Sequence, residues 1–219
     1  MKVLALSSSP RKDGNSRLLA QAVLDGATSM GHKVELIDLA DVVKAPLGDC
    51  RTCRLADGRC SIDDGYEELL HTVLAADALV LATPLYWYGV SGQLKIFLDR
   101  IFCHAGAEYP RHEEVERGIL HKRLAVVVTS EESYPGASLG VTAHMQELAR
   151  YLRHDLVGIV RGTANSRGEI TRDPAKPVEQ AHNLGTLLFE LPVTDYRMDT
   201  VRDGVVWQGG APFIAGKAR

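Results

Sequence analysis

The chain has 219 residues, of which 24% are charged, and it carries a net charge of −3 and four cysteines. This length accommodates one large domain or a domain with an appendage. The negative balance and the lack of a basic block exclude a nucleic-acid surface, and no apolar run is long enough for a membrane span. We expect a cytoplasmic protein with reduced thiols, because four cysteines are too few for a disulfide scaffold and no leader pattern precedes the first strand.

Apolar runs alternate with helical patterns through residue 190. Continuous or alternating apolar runs predict five strands, at 2–8, 33–38, 78–83, 122–129 and 156–161. Helical periodicity predicts five helices, from Ser16 to Met30, at 65–76, at 91–104, at 138–153, and after Pro174 to about Glu190. Strands that alternate with helices imply parallel crossovers. The polar alternation in 33–38 places that strand at an edge, which favours a flavodoxin-like three-layer α/β sandwich with a five-stranded parallel sheet in the order 2-1-3-4-5.

Two segments depart from this alternation. Residues 39–63 form an insertion with three cysteines and little periodicity, inside a domain predicted to span 1–190. Residues 191–219 form a C-terminal extension, where apolar residues flank a turn signal at 202–204 and predict a small hairpin. A lone hairpin is marginally stable, so we expect it to pack on the domain or to act as a dimer arm.

The loop after the first predicted strand is rich in groups that bind anions. Its hydroxyl, amide, cationic and glycine residues are Ser7, Ser8, Ser9, Arg11, Lys12, Gly14, Asn15 and Ser16. Unpaired N–H groups and the positive end of the following helix suit a phosphate there. The loop has neither the GxGxxG nor the GxxxxGK[ST] pattern, so Asp38 is interpreted as an ordinary strand-end residue, not a ribose ligand. A serine-rich turn that only caps the helix is the alternative.

The loop after the third predicted strand carries three aromatic residues in succession, within Thr83-Pro84-Leu85-Tyr86-Trp87-Tyr88-Gly89. In the predicted strand order this loop faces the first one. A flat conjugated ligand stacked on the rings explains them, and core packing over a sheet edge is the alternative. A phosphate site beside a ring platform defines a ligand with an anionic tail and a flat head, and FMN has that shape.

The two motifs SSPRKDGNS and TPLYWYGVSGQLKIFLDR, taken together, resemble the NAD(P)H-dependent FMN reductase family over about residues 1–165. The resemblance implies that the FMN phosphate is held by Ser9, Arg11, Asn15 and Ser16, with Ser7 beside them. It implies that the isoalloxazine lies along Pro84, Leu85, Tyr86, Trp87, Tyr88 and Gly89. It also places the loop after the fourth strand near the pyrimidine end of the flavin, where N–H groups stabilise negative charge on the reduced ring. Inward carboxylates would oppose that charge, so we expect Glu131 and Glu132 to face solvent and Ser130 or Tyr134 to make the contact.

The activity implied by this resemblance is a flavin-dependent oxidoreductase. Bound FMN would accept hydride from NADPH or NADH and pass electrons to a small acceptor, such as a quinone, flavin, nitro or azo compound. The cofactor carries the chemistry, so no catalytic acid or base is expected. Donor and acceptor would use one open face in turn, which predicts ping-pong kinetics. We expect a homodimer with no nucleic-acid or membrane partner. A flavodoxin-type electron carrier is the alternative.

The cysteines of the insertion, Cys50, Cys53 and Cys60, resemble the cluster-binding insertion of iron-sulfur flavoproteins. That insertion has the pattern CxxCxxC followed by a fourth cysteine, whereas Ala56 stands at the third position here. A four-iron cluster would then need an outside ligand, such as Asp57 or a residue of a partner chain. We favour a degenerate loop without metal, and an iron-sulfur flavoprotein, a zinc site and a redox-active cysteine pair are the alternatives.

Charged residues near the predicted helices receive structural interpretations. Asp64 and Glu67 form a capping box, so neither acid needs a catalytic role. Lys95 and Asp99 form a pair on one helix face, and Arg100 is interpreted as solvated surface.

Overall fold

The computed structural model describes residues 1–49, 54–104 and 110–193. Its sheet consists of five strands, β1 (Lys2–Ser7), β2 (Lys33–Asp38), β3 (Ala78–Pro84), β4 (Arg123–Ser130) and β5 (Asp155–Thr163). All neighbouring pairs are parallel, and the order β2-β1-β3-β4-β5 confirms the predicted flavodoxin-like sheet with β2 at an edge. The hairpin predicted in the extension falls on residues 194–219 and so lies outside the described residues, as do Cys50 and Cys53.

Seven α-helices flank this sheet in the described residues: α1 (Asn15–Ser29), α2 (Leu39–Val42), α3 (Tyr66–Ala75), α4 (Gly92–Phe102), α5 (His112–Ile119), α6 (Leu139–Leu152) and α7 (Pro177–Thr186). Single 3₁₀ turns precede α6 and α7, at Pro135–Ser138 and Glu169–Arg172. The sequence did not predict α2 and α5. Helix α2 has only four residues, and α5 buries only two apolar side chains, so neither shows a helical repeat of apolar positions. No helix described here has the length and apolar character that a bilayer crossing requires.

The two faces of the sheet pack into separate apolar layers. On β1, Val3 and Ala5 point toward the layer that includes α1, whereas Leu4 and Leu6 point toward the layer that includes α3, α4 and α6. A strand covered on both faces needs apolar side chains at successive positions, which explains the run at the start of the chain.

Helices α1 and α7 approach each other closely through glycines. A Cβ atom at Gly26 would lie 2.1 Å from the carbonyl oxygen of His182, and one at Gly185 would lie 1.9 Å from that of Val23. Any larger residue would push the helices apart. This contact fixes the position of α1 and, with it, the start of that helix at the carboxyl edge of the sheet.

Two of the interpretations of charged residues are wrong. Arg100 is buried and pairs with Asp64, although its place on a helix next to Asp99 had indicated a solvated residue. Asp64 and Glu67 do not form a capping box, because Gly65 is the N-cap of α3. Asp64, one residue earlier, accepts from the Tyr66 N–H at 3.2 Å, while Glu67 accepts hydrogen bonds from the Cys60 N–H and from Arg111. Both errors come from partners that are distant in sequence. The Lys95–Asp99 pair is confirmed.

Candidate functional site

The loop from β1 to α1 is folded around a serine hydroxyl. The Ser9 hydroxyl donates a 3.0 Å hydrogen bond to the Arg11 carbonyl and accepts one of 3.1 Å from the Arg11 N–H. Gly14, the N-cap of α1, donates its N–H to the same carbonyl at 3.1 Å. A Cβ atom at Gly14 would lie 2.3 Å from the Ser9 hydroxyl oxygen, so this turn requires glycine. The Ser9 side chain therefore shapes the loop.

Polar atoms without partners face the start of α1. The Ser16 hydroxyl and the Asn15 side-chain oxygen are buried and have no hydrogen-bond partner, although the Asn15 amide donates to the Ser166 carbonyl at 2.9 Å. No side chain caps α1, so the N–H groups of its first turn are also open to a ligand. A buried hydroxyl left unpaired costs free energy, and a phosphate at this helix start would accept hydrogen bonds from the Ser16 hydroxyl and from the open N–H groups. The Asn15 side-chain oxygen is itself an acceptor and needs a donor instead.

The cations of this loop have different partners. Lys12 forms ion pairs with Asp38 and Asp41, and Arg17 donates to Asp38 at 3.0 Å. Burial alone would raise the pKa of Asp38, but the hydrogen bonds from Lys12 and Arg17 outweigh it and hold that pKa below its usual value. Asp38 is thus an anchor for the loop and more than an ordinary strand-end residue. Arg11 is exposed and has no ion-pair partner among the described residues, which leaves its guanidinium available to an anion.

The three aromatic residues after β3 lie on a tight two-residue turn. Tyr86 and Gly89 exchange two backbone hydrogen bonds of 3.1 and 3.0 Å, and the residues between them, Trp87 and Tyr88, have φ angles of 49° and 61°. Turns with two positive φ angles normally take Asn or Gly, and bulky residues there are strained. Trp87 is 96% exposed and both tyrosines are about half exposed, so the rings do not cover a core. They form a ring turn that is open to a flat ligand.

The loop after β4 lies beside this ring turn. The Leu85 N–H donates to the Thr129 carbonyl at 2.7 Å, and the pKa of Tyr88 is raised by a hydrogen bond with Tyr134 and by the charge of Glu132. Tyr134 is half exposed, whereas the Ser130 hydroxyl donates to the Glu132 carbonyl at 2.8 Å. Glu131 and Glu132 are exposed, as the sequence predicted.

A cavity of about 750 Å³ continues from this loop toward the end of β5. Its walls include Ser130, Tyr134, Ile159 and Arg161. Neither the loop from β1 to α1 nor the ring turn lines this cavity, which adjoins the site through Tyr134. This volume lies in the range of small-molecule sites.

The sequence missed Ser91 as a site residue. Its hydroxyl donates to the Ser8 carbonyl at 3.1 Å and accepts from the Leu94 N–H at the start of α4. The available signal was a serine at the start of the helix predicted at 91–104, since serine is a preferred N-cap. The bond to the Ser8 carbonyl joins positions 83 residues apart, which no local pattern reveals.

The cysteine insertion packs against a buried charged cluster. The Cys60 sulfur accepts a hydrogen bond of 3.2 Å from Arg100, and His104 stacks on Tyr66 with its pKa lowered by burial. Within 1–49, 54–104 and 110–193, no three His, Cys, Asp or Glu side chains are grouped so that they could hold a metal ion. Cys50 and Cys53, the other two cysteines of the insertion, lie outside the described residues.

Known proteins are similar to this chain in sequence. The chain is 40% identical over 100 residues to an iron-sulfur flavoprotein of Methanocaldococcus jannaschii, which is 46% of this chain and about half, 51%, of that protein's length. It is 30% identical over 186 residues to an FMN-dependent NADH:quinone oxidoreductase of Jannaschia sp., covering 78% of this chain and 90% of the relative.

The fold is also found in solved structures. The Trp repressor binding protein of Bacillus subtilis matches with a TM-score of 0.62 at 20% identity, over 87% of this chain and 99% of the other. At this identity the likeness shows the fold alone. The family model described as NADPH-dependent FMN reductase matches residues 1–171. The chain therefore belongs to the NADPH-dependent FMN reductase family.

Proposed function

We propose that this protein binds FMN at the carboxyl ends of β1 and β3 and transfers electrons from NADPH or NADH to a small acceptor. The observation that carries the proposal is the buried, unpartnered hydroxyl of Ser16 at the uncapped start of α1, next to the exposed Arg11. A phosphate monoester accepts hydrogen bonds from the Ser16 hydroxyl, the Arg11 guanidinium and the N–H groups of the first turn of α1. Membership of the family agrees with this cofactor and this class of reaction.

Each part of the site has a separate task in the proposal. The Arg11 guanidinium, the Asn15 backbone N–H and the Ser16 hydroxyl bind the phosphate, with Ser7 buried nearby in the chain and Ser9 shaping the loop. When bound, FMN supplies the hydride and electron transfer chemistry. The protein orients the ring and partly excludes water from it, and this is the role of the ring turn. Its contact residues are Pro84, Leu85, Tyr86, Trp87, Tyr88 and Gly89.

The loop after β4 closes the far side of the ring in this proposal. Tyr134 meets Tyr88 there, and Ser130 holds the loop through its bond to the Glu132 carbonyl. The exposed carboxylates of Glu131 and Glu132 stay in water, where they oppose negative charge on the reduced ring least.

Small flat acceptors suit the open side of the site. The half-exposed Tyr134, which lies next to Tyr88, borders the cavity toward β5, and that cavity has room for one small molecule. The relative from Jannaschia sp. is named for quinone reduction. We therefore assign quinones first, with flavin, nitro and azo compounds as further acceptors that one face could serve in turn with the donor.

The proposal includes a homodimer in the cytoplasm. The low cysteine count supports a reducing compartment. Light scattering of the full-length protein tests the assembly, and a mass of one chain would contradict it.

An absorption spectrum with anaerobic titration tests the function. Protein incubated with FMN and then freed of unbound flavin is expected to be yellow and to bleach on stoichiometric NADPH or NADH, with catalytic turnover when a quinone is added. Bleaching by dithionite alone, with neither nicotinamide acting, would contradict the enzyme and identify an electron carrier. A brown protein containing iron and sulfide would instead favour the iron-sulfur alternative.

A further inference from the structure

The loop from β1 to α1, here called the phosphate loop, and the ring turn follow different strands. A buried network of hydroxyl groups joins them. Ser8, the first residue after β1, donates both its N–H and its hydroxyl to the Ala82 carbonyl of β3, at 2.9 and 2.8 Å. These bonds use up the Ser8 hydroxyl. Ser8 therefore fixes the loop to β3 and is not a phosphate ligand.

Ser91 continues this network from the other side. It is 2% exposed, its N–H donates to the Thr83 hydroxyl at 2.9 Å, and its own hydroxyl donates to the Ser8 carbonyl at 3.1 Å. The Thr83 hydroxyl in turn donates to the Pro84 carbonyl at 2.8 Å. Thr83 and Ser91 thus clamp both ends of the segment that carries the ring turn, and Ser91 ties that clamp to the phosphate loop.

Besides this clamp, the segment that carries the ring turn is held by the bond from the Leu85 N–H to the Thr129 carbonyl and by the contact of Tyr88 with Tyr134. The ring turn itself is closed by the two bonds between Tyr86 and Gly89, and its two strained residues project into solvent. Its position relative to Arg11 therefore depends in part on where Thr83 and Ser91 hold its ends. A ligand that touches both parts of the site gains from this fixed spacing, because binding at one part presents the ligand to the other at high effective concentration.

We propose that Ser91 is a positioning residue that couples the phosphate half of the flavin site to its ring half. The inference rests on the proposed function, because it assumes one ligand that spans both halves. Ser91 touches neither the phosphate nor the ring. Its effect is confined to ligands that need both halves at a set distance, and this separates it from a residue that only stabilises the fold.

Three probes test the coupling in the full-length protein. FMN spans both halves, riboflavin has the ring without the phosphate, and inorganic phosphate, measured as a competitor of FMN, has only the anion. With Ser91→Ala we expect FMN affinity to fall about fivefold or more, while the affinities for riboflavin and phosphate change less than about twofold. Ser91→Thr keeps the hydroxyl and is expected to restore FMN affinity.

Loss of the N-cap of α4 also lowers stability in Ser91→Ala, so a second variant separates the two effects. Thr83→Val keeps the branched shape and removes the hydroxyl that holds Ser91, without touching the cap. It is expected to weaken FMN binding selectively as well. Equal losses for FMN and riboflavin, or a lower melting temperature with unchanged FMN affinity, would overturn the coupling role. A wild-type protein that binds none of the three probes would overturn the proposed function itself.

Discussion

The guanidinium of Arg100 meets the carboxylate of Asp64 through hydrogen bonds of 2.6 and 2.9 Å, and both side chains are 1% exposed. Arg100 also lies 4.1 Å above the ring of Tyr66 and donates to the Cys60 sulfur. Asp64 belongs to the segment after the insertion, and Arg100 belongs to α4, whose N-cap is Ser91. The buried pair thus connects the end of the insertion to the helix next to the proposed flavin site.

Removing one member of this pair is expected to be costly. Arg100→Met leaves the Asp64 carboxylate buried without its cation, and such losses cost about 3–5 kcal/mol of the free energy of unfolding. Urea denaturation measures the change. The double variant Arg100→Met, Asp64→Leu should recover most of the loss, because no buried charge then remains. A single-variant loss below about 1 kcal/mol would contradict the burial of the pair.

Relief of strain in the ring turn is expected to separate stability from function. Trp87→Gly should raise the free energy of unfolding by about 1 kcal/mol, since glycine adopts a positive φ without steric cost and the exposed ring contributes little burial. The same change should weaken FMN binding and reduce flavin fluorescence quenching. Trp87→Ala is the matched control, because alanine removes the ring and keeps the strain. If Trp87→Gly is no more stable than Trp87→Ala, the turn is not strained.

The acid side of the stability profile is expected to depend on His154. Its Nε2 bonds to the Ile119 carbonyl at 2.7 Å, and burial lowers its pKa to about 4. In the unfolded chain the imidazole of His154 takes up a proton near pH 6.5, whereas in the folded protein it stays neutral down to about pH 4. The free energy of unfolding is therefore highest above pH 6.5 and falls by about 3 kcal/mol as the pH drops to about 4. His154→Gln should flatten this slope in denaturation series from pH 7 to 4. An unchanged slope would show that other groups cause it.

The sequence predicted the parts of the fold that local patterns determine. The runs in β1 and β3 are apolar at every position because both faces are buried, and the polar β2 is at the edge. The predicted first loop and ring turn lie at the ends of the neighbouring strands β1 and β3. Proximity of the two loops followed from the strand order alone.

Contacts between distant positions were not predictable in the same way. The bond from Ser91 to Ser8 and the pairing of Arg100 with Asp64 depend on tertiary packing. The role of Asp38 as an anchor for Lys12 and Arg17 also arises only when β2 lies next to β1. A sequence pattern more easily identifies the groups that bind a ligand than the groups that hold those ligand-binding groups in place.

Equilibrium titration with FMN and riboflavin tests the central claim most directly. Wild-type protein is expected to bind FMN at one site per chain with quenched fluorescence, and Arg11→Gln should weaken FMN binding about tenfold or more, as loss of a charge-assisted hydrogen bond to phosphate predicts. Riboflavin affinity should not change, and Arg117→Gln, which removes an exposed cation on α5, should leave both affinities intact. Unsaturable FMN binding, or equal FMN affinity in wild type and Arg11→Gln, would contradict a phosphate site at the start of α1.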